Sequence, residues 1–125
     1  MSRALLLGCM VVLMSCSPRG EITFSPEAAS VGQVTPVFIG TTRVMEDGKF
    51  GTDRSEELLF ARYDISIPPN REKGEINWPT KFENPNPKRH FLTTAETIYP
   101  DETGFRADLK RDMAQHGNEA VIFVH

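Results

Sequence analysis

The sequence predicts an incomplete α/β fold with early antiparallel strands, one helix and one buried terminal strand. Residues 58–67 alternate between two faces, which is typical of a strand that has one face on a core. Residues 105–113 carry apolar side chains at helical spacing. Residues 121–124 are consecutive large apolar residues, as in strands that are buried on both faces of a parallel sheet.

The first 15 residues have the layout of a secretory signal peptide. Arg3 provides a basic start, an apolar core follows at residues 4–14, and Ser15 is small. A membrane-spanning helix needs about 20 apolar residues, so a permanent span is not expected. A buried core element is the alternative, but the change to polar residues after Cys16 is abrupt.

Residues 13–16 (LMSC) resemble the bacterial lipobox, although Met14 is a less usual occupant of its position. The resemblance implies cleavage before Cys16 and acylation of its thiol, and several acyl chains on one residue anchor a protein stably. Ser17 follows in place of aspartate, which favours the outer membrane. Ordinary secretion to the periplasm is the alternative. The other cysteine, Cys9, lies in the removable signal, so the mature chain cannot form an internal disulfide.

The predicted organisation is a signal peptide at residues 1–15, a lipid-anchored tether at residues 16–33 and a folded region at residues 34–125. Loss of the signal removes Arg3, so the net charge changes from −3 to −4. The densest basic spot is residues 88–90, which is too short to favour nucleic-acid binding. The expected partner is therefore the membrane, through Cys16. The sequence does not indicate an oligomeric state.

Three strands are predicted before the helix. They cover residues 34–40, 58–67 and 91–94, and Gly40 is expected to end the first of them. Pro36 lacks a backbone donor, so the first strand should lie at a sheet edge or be irregular. Asp47 and Gly48 follow it with turn chemistry, which indicates a hairpin or an exposed loop.

The connection to the third strand is long and polar. Ile76 and Trp78 are spaced as in a short strand whose side chains pack under this loop. A helix is then expected after Asp101, a suitable N-cap residue, and Gly117 is suited to its C-terminal end. The apolar stripe of this helix consists of Phe105, Leu109 and Met113.

The sequence contains no recognisable catalytic constellation. The sequence has no Gly-x-Ser-x-Gly turn, no phosphate-binding loop and no His-Glu-x-x-His. His90 and His116 are expected to be structural or solvated. No catalytic residue, metal ligand or cofactor is therefore predicted. His125 differs from them by position, because it ends the apolar run.

Four short segments, in the same order, resemble a bacterial branch of α/β-hydrolases that are often secreted or lipoproteins. Residues 120–125 (AVIFVH) resemble its VVFVHG segment, and residues 36–43 (PVFIGTTR) resemble its PVFVGTSR strand and turn. Residues 60–69 (FARYDISIPP) are similar to its FARYDVSIPP strand. Residues 71–79 match its R-x-x-G-x-I-x-W-P pattern. The resemblance covers residues 36–125.

The resemblance implies the N-terminal part of an α/β-hydrolase sheet, in which His125 is the last residue before the oxyanion loop. The intact parent would hydrolyse a small ester or lipid-like substrate. In that family the nucleophile, acid and base come after the segment that residues 120–125 resemble. No residue of this sequence therefore matches a catalytic residue of the family. The alternative is a small envelope lipoprotein that acts as a binding or structural module. The hydrolase interpretation also predicts exposed apolar surface at residues 121–124, because the central parallel strands of the sheet would be missing. Dye binding or limited proteolysis would detect this surface.

Acylation of Cys16 makes a direct prediction. Labelled fatty acid should be incorporated into the chain, and Cys16→Ala should abolish the label because the variant has no thiol at the acylation position. Gel fluorography of cells grown with the labelled acid measures it. Persistent labelling of Cys16→Ala would rule out the lipobox interpretation.

Overall fold

A computed structural model of the chain describes residues 22–47 and 49–124. The element order is a 3₁₀ helix, two long strands, a third strand and an α-helix. Their bounds are Pro26–Ser30 for the 3₁₀ helix, Gln33–Glu46 for β1, Lys49–Ile67 for β2, Leu92–Tyr99 for β3 and Glu102–Gln115 for α1. The strands form one sheet in the order β1-β2-β3, and both pairings are antiparallel.

The predicted α/β fold is wrong for the part of the chain that the structure describes. The sheet is small and antiparallel, and it does not form the parallel α/β arrangement of an α/β-hydrolase sheet. Residues 119–124 form no strand. The prediction treated residues 121–124 as a buried parallel strand. Such a strand needs neighbours on both edges, and an apolar run does not supply them.

β1 and β2 form a hairpin whose turn includes Asp47, where the sequence predicts turn chemistry. Glu46 pairs with Lys49, and Asp47 has a φ of 48°, which a tight hairpin turn requires. β1 lies at an edge of the sheet, as Pro36 indicated. The predicted end at Gly40 is wrong, because Gly40 pairs with Phe60 and β1 runs on to Glu46. Both strands are therefore longer than their apolar stretches.

The distal half of this hairpin folds back over the sheet. Phe50 and Tyr63 lie 13 positions apart on β2, which would separate them by about 43 Å in a straight strand. Their ring centroids are nevertheless only 5.9 Å apart. The register shifts between Thr41 and Arg43 and again between Arg43 and Met45. Such irregularities bend a strand pair, so they account for the return of Phe50.

The middle of β2 carries the two faces of the sheet. Ala61 and Tyr63 are buried on the face that the alternation assigned to the core. The opposite face was expected to be partly wet from Arg62 onward. There α1 covers Arg62, and the 3₁₀ helix covers Ser66, which is fully buried. Helices that lie before and after the sheet in the chain thus decide the environment of this face.

The 3₁₀ helix packs closely against the end of the sheet. Ala28 is fully buried, and its carbonyl accepts a hydrogen bond from the Ser66 hydroxyl at 2.9 Å. A Cβ on Gly32 would lie 2.3 Å from the Ile67 carbonyl oxygen. Thr23 and Ser25 exchange backbone hydrogen bonds with Thr93 of β3, each of 2.9 Å. Residues 23–32, within the expected tether, are therefore packed on the sheet.

α1 begins and ends where the sequence predicts. The Asp101 carboxylate accepts hydrogen bonds from the Thr103 and Gly104 amides at 2.8 and 3.2 Å, so its N-cap role is confirmed. At the other end, Gly117 has a φ of 82°, and the Asn118 amide donates to the Met113 carbonyl. The helix thus has both of its ends satisfied.

The apolar stripe of α1 is only partly used. The Phe105 ring lies 5.7 Å from Phe38, 5.0 Å from Phe60 and 5.6 Å from Tyr99 between centroids. Leu109 and Met113 instead line an open cleft on the helix surface. No residue of α1 is buried. The helix is therefore held to the sheet mainly by the Phe105 aromatic group and its polar neighbours.

The close approach at Gly32 can be tested with a matched pair of substitutions. Gly32→Ala should lower the free energy of unfolding by about 2–3 kcal/mol, because the new methyl group meets a backbone carbonyl that cannot move aside. Gly40→Ala should change it by less than about 1 kcal/mol. At Gly40 the methyl group would meet only the Phe60 ring, at 3.6 Å. Urea unfolding followed by circular dichroism gives both values. Equal losses in the two variants would contradict the packing at Gly32.

Candidate functional site

The two residues to which the sequence assigns roles, Cys16 and His125, lie outside the described residues. The residues that lead to His125 are described and form what we call the terminal apolar segment (residues 121–124). Val121 and Ile122 are 81% and 83% exposed, and Phe123 and Val124 are 90% and 92% exposed. The expected approach to an oxyanion loop is therefore an exposed stretch of chain. The predicted buried strand is wrong, and the exposure agrees with the exposed apolar surface that the hydrolase interpretation predicts at residues 121–124.

The terminal apolar segment is the most concentrated exposed apolar feature in the described part of the chain. Large apolar residues are normally buried, and scattered exceptions on a surface need no explanation. Four in succession are different, because β-branched and aromatic residues favour strand pairing and an unpaired extended segment offers its backbone to another strand. Chemically, the segment is suited to association with another polypeptide.

A cluster of charged and aromatic groups lies between α1 and the sheet. Asp108 is its centre: its carboxylate accepts hydrogen bonds from Tyr99 at 2.5 Å, from Arg62 at 3.1 Å and from Arg111 at 2.6 Å. Arg62 also donates to Asp64 at 2.7 Å. These five residues, the Asp108 cluster, connect the helix to two strands. The Arg62 guanidinium also lies 5.4 Å from the centroid of the Phe38 ring, within cation–π distance.

The electrostatics of the Asp108 cluster fix its protonation. The hydrogen bond from Tyr99, followed by Arg62, holds the pKa of Asp108 below its usual value. Desolvation and the hydrogen bond to Asp108 raise the pKa of Tyr99 to about 12. The hydrogen bond to Asp64 raises the pKa of Arg62. Near neutral pH Asp108, Tyr99 and Arg62 each keep one charge state, which suits fastening the helix better than exchanging protons.

Tyr63 makes a similar contact on the other side of β2. Its hydroxyl donates to the Glu96 carboxylate at 2.6 Å across the β2–β3 pair. Desolvation, with the hydrogen bond to Glu96, raises the pKa of Tyr63 above its ordinary value. The phenol therefore stays neutral and acts as a cross-strand donor. We assign it a structural role.

The long loop (residues 68–91) joins β2 to β3 and is tied to itself. The Asn70 amide donates to the Lys88 carbonyl at 3.2 Å, and the Phe91 amide donates to the Asn77 carbonyl at 2.9 Å. The predicted short strand at Ile76 and Trp78 is absent from this loop. These two side chains are 61% and 43% exposed, so their expected burial is also wrong.

His90 is a structural residue of the long loop. It is buried, and its Nδ1 accepts a hydrogen bond from the Asn86 amide at 3.0 Å. Its Nε2 lies 3.4 Å from the Glu83 carboxylate. His116 lies at the exposed end of α1, where its Nδ1 is 2.9 Å from the Asp112 carbonyl. Both contacts agree with the structural roles that the sequence predicts.

The described surface includes two open clefts. One, of about 430 Å³, lies where β1 begins and β2 ends, and its lining includes Arg71 and Lys73. The other, of about 390 Å³, lies along α1 beside Leu109 and Met113. Within residues 22–47 and 49–124, no three side chains of His, Cys, Asp or Glu come together to hold a metal ion. Over the same residues, no helix is sufficiently long and apolar to cross a membrane.

The sequence did not point to the Asp108 cluster. Arg62 and Asp64 share a face of β2 because they are two residues apart, and this spacing was the available signal. Their partners Tyr99 and Asp108 come 35 or more positions later, so local periodicity could not connect them. A charged pair that interrupts an otherwise apolar strand is the pattern that could have suggested a covering element.

Comparison of the chain with protein-family models, with curated proteins and with solved structures finds no match.

The Asp108 cluster predicts a specific pH dependence. Because the folded-state pKa of Asp108 is lowered, its ionised form stabilises the fold above the unfolded-state pKa of about 3.9. This stabilisation disappears as the pH falls through the folded-state value. Asp108→Asn should therefore cost about 1 kcal/mol at pH 7 and clearly less at pH 3. Urea unfolding at the two pH values measures the difference.

The control for that prediction is Asp53→Asn, which makes the same change at an exposed position of β2. Its effect should be small at both pH values. A loss that is as large at pH 3 as at pH 7 for Asp108→Asn would show that the carboxylate charge is not what stabilises the helix.

Proposed function

We propose that this chain is a lipid-anchored module of a bacterial cell envelope that binds another polypeptide through its terminal apolar segment. The observation that carries the proposal is the exposure of residues 121–124, which ranges from 81% to 92%. An apolar stretch of this kind is unfavourable in water and becomes favourable once a partner covers it. The proposed function is therefore binding.

The composition of the segment favours addition as a β-strand. Val121, Ile122 and Val124 are β-branched and Phe123 is aromatic, and such residues have high strand propensity. In strand addition, backbone hydrogen bonds supply affinity, and pockets for alternate side chains supply specificity. Because both faces of the segment are apolar, the partner should cover both of them. An interior position in a sheet meets that need better than an edge.

The location rests on the lipobox resemblance at residues 13–16. Acylation of Cys16 would hold the folded part at the bilayer surface, and Ser17 favours the outer membrane. An anchor of this kind restricts the module to the membrane plane and raises its concentration near partners that are fixed there. Secretion to the periplasm without acylation is the alternative location.

A second candidate is the N-terminal part of a membrane-anchored serine hydrolase. It is supported by the four segments between residues 36 and 125 that resemble the hydrolase branch. In this candidate, the polypeptide that covers residues 121–124 carries the serine nucleophile. The whole hydrolase, of which this chain would be the N-terminal part, would hydrolyse a small ester or lipid-like substrate. This chain alone would be inactive. The antiparallel sheet is not evidence for a hydrolase fold, so this candidate rests on the four sequence segments.

Photocrosslinking tests the proposed binding element. A benzoylphenylalanine at Phe123 of the full chain, expressed in its envelope, should crosslink to one protein identified by mass spectrometry. The same photoreactive residue at Phe82, which is 98% exposed, is the matched control and should not capture that protein. Ile122→Asp, which charges the segment, should reduce the yield at Phe123 at least fivefold. Equal yields with and without Ile122→Asp would overturn the proposal.

A fluorophosphonate probe separates the two candidates. If residues 121–124 contact a serine hydrolase, the crosslinked species should carry the probe, because the probe modifies an activated serine. The DNA after codon 125 should then also encode a Gly-x-Ser-x-Gly turn. A crosslinked protein without probe, and no such turn in any frame, would reject the hydrolase candidate while leaving the binding module in place.

A further inference from the structure

We infer that the long loop (residues 68–91) is a membrane-contacting surface that lies against the anionic headgroups and upper acyl chains of the bilayer in which Cys16 is anchored. The inference rests on the lipid attachment in the proposed function and extends it by assigning a lipid ligand to a second part of the chain. Four observations carry it: position, charge, exposed aromatic side chains and order.

The first observation is the position of the loop. It connects the end of β2 at Ile67 to the start of β3 at Leu92, next to the start of β1 at Gln33, so it lies at one end of the sheet. The chain enters the fold at the same end, because Phe24 forms a bridge with Thr93. We call it the tether end.

The distance to the bilayer is limited by the number of residues between Cys16 and the first described residue. Six residue steps separate Cys16 from Ile22, the first residue that the structure describes. Six steps span at most about 20 Å even when fully extended. Acylation of Cys16 would therefore hold the tether end, and the loop with it, close to the headgroups. The hairpin turn at the far end of β1 has no such constraint.

The second observation is charge. The long loop has five Lys and Arg residues and three Glu residues, which gives a net charge of +2. Residues 22–67 and residues 92–124 each have a net charge of −3. In the field of an anionic bilayer, this asymmetry attracts the loop and repels the rest of the fold. Arg71 and Lys73 also line the cleft at the tether end, where a headgroup phosphate would meet both of them.

The third observation is the set of exposed apolar side chains. Phe82 is 98% exposed, Ile76 is 61% exposed and Trp78 is 43% exposed, and each lies within this polar loop. Tryptophan and phenylalanine beside basic residues are typical of segments that lie in the membrane interface. Trp78 also packs against Phe91 with ring centroids 6.0 Å apart, so one side of the indole is supported and the other is free.

The fourth observation is that the loop is ordered before it meets a ligand. The Glu83 amide donates to the Thr80 carbonyl at 3.0 Å, which forms the turn that presents Phe82. The Glu83 carboxylate lies 3.4 Å from the buried His90 ring. Preorganisation reduces the conformational entropy that binding would otherwise cost. A protein partner is the other conceivable occupant, but the short tether and the opposite charges of loop and body favour the bilayer.

The chain contains a single tryptophan, so Trp78 reports on the loop directly. The full acylated chain is reconstituted into vesicles of phosphatidylcholine with about one third phosphatidylglycerol, in which some lipids are brominated near the headgroup. We expect Trp78 emission to shift to shorter wavelength and to fall at least twofold relative to vesicles without bromine. In purely zwitterionic vesicles the quenching should be weaker.

Charge-reversal variants give matched controls. The pair Lys81→Glu and Lys88→Glu in the long loop should reduce the quenching by at least half. Arg106→Glu and Lys110→Glu, at exposed positions of α1, change the net charge equally and should leave the quenching unchanged. Both pairs lie outside the Trp78–Phe91 contact. Equal effects of the two pairs would show that net charge, and not the loop, directs the orientation, and would overturn the inference.

Fatty-acid labelling of Cys16 in the same preparation separates the possible failures. Labelled protein with unquenched Trp78 overturns the loop assignment and leaves the anchor intact. Unlabelled protein overturns the anchor and with it the basis for this inference. If Trp78 is unquenched in vesicles but shielded from iodide in whole envelopes, the occupant is a protein, and the lipid assignment is wrong.

Discussion

The fold depends on β2, the strand that pairs along both of its edges in the described sheet. β1 continues the ladder on one side and β3 on the other. Other parts of the fold also contact residues of β2: α1 contacts Arg62, the 3₁₀ helix contacts Ser66, and the distal hairpin returns to Tyr63. Because side chains alternate along a strand, one shift of register would exchange the two faces and remove these three contacts.

The attachments to β2 are small and partly polar. The buried hydrophobic side chains among the described residues are Ala28, Ala61, Tyr63 and Leu92. Domains of this size have few buried residues relative to their surface, so hydrogen-bonded contacts contribute a larger share of their specificity. The Asp108 cluster fulfils this role for α1. The hydrogen bond from Ser66 to the Ala28 carbonyl does so for the 3₁₀ helix. The absence of a side chain at Gly32 allows the chain after this helix to approach the Ile67 carbonyl closely.

Two exposed surfaces of the described part of the chain suggest a division of tasks. The terminal apolar segment has the composition of a strand that lacks neighbours, which suits a polypeptide partner. The long loop is basic and carries exposed aromatic side chains at the end where the tether enters, which suits a bilayer. A module that uses both surfaces would contact the membrane through the long loop and bind a protein through the terminal apolar segment. Acylation of Cys16 would link them, because it fixes which end of the sheet faces the lipid.

The sequence alone determined the local features of the chain, and only the tertiary structure decided how they combine. Helix capping at Asp101, the turn at Asp47 and the alternation near Ala61 depend on near neighbours, so they could be predicted. The environment of Arg62 and the fate of residues 121–124 depend on partners far away in the chain or outside the described residues. Apolar composition shows that a segment favours burial, but burial also requires a second surface. For the terminal apolar segment the described fold provides none, and this is why its predicted place in a parallel sheet was wrong.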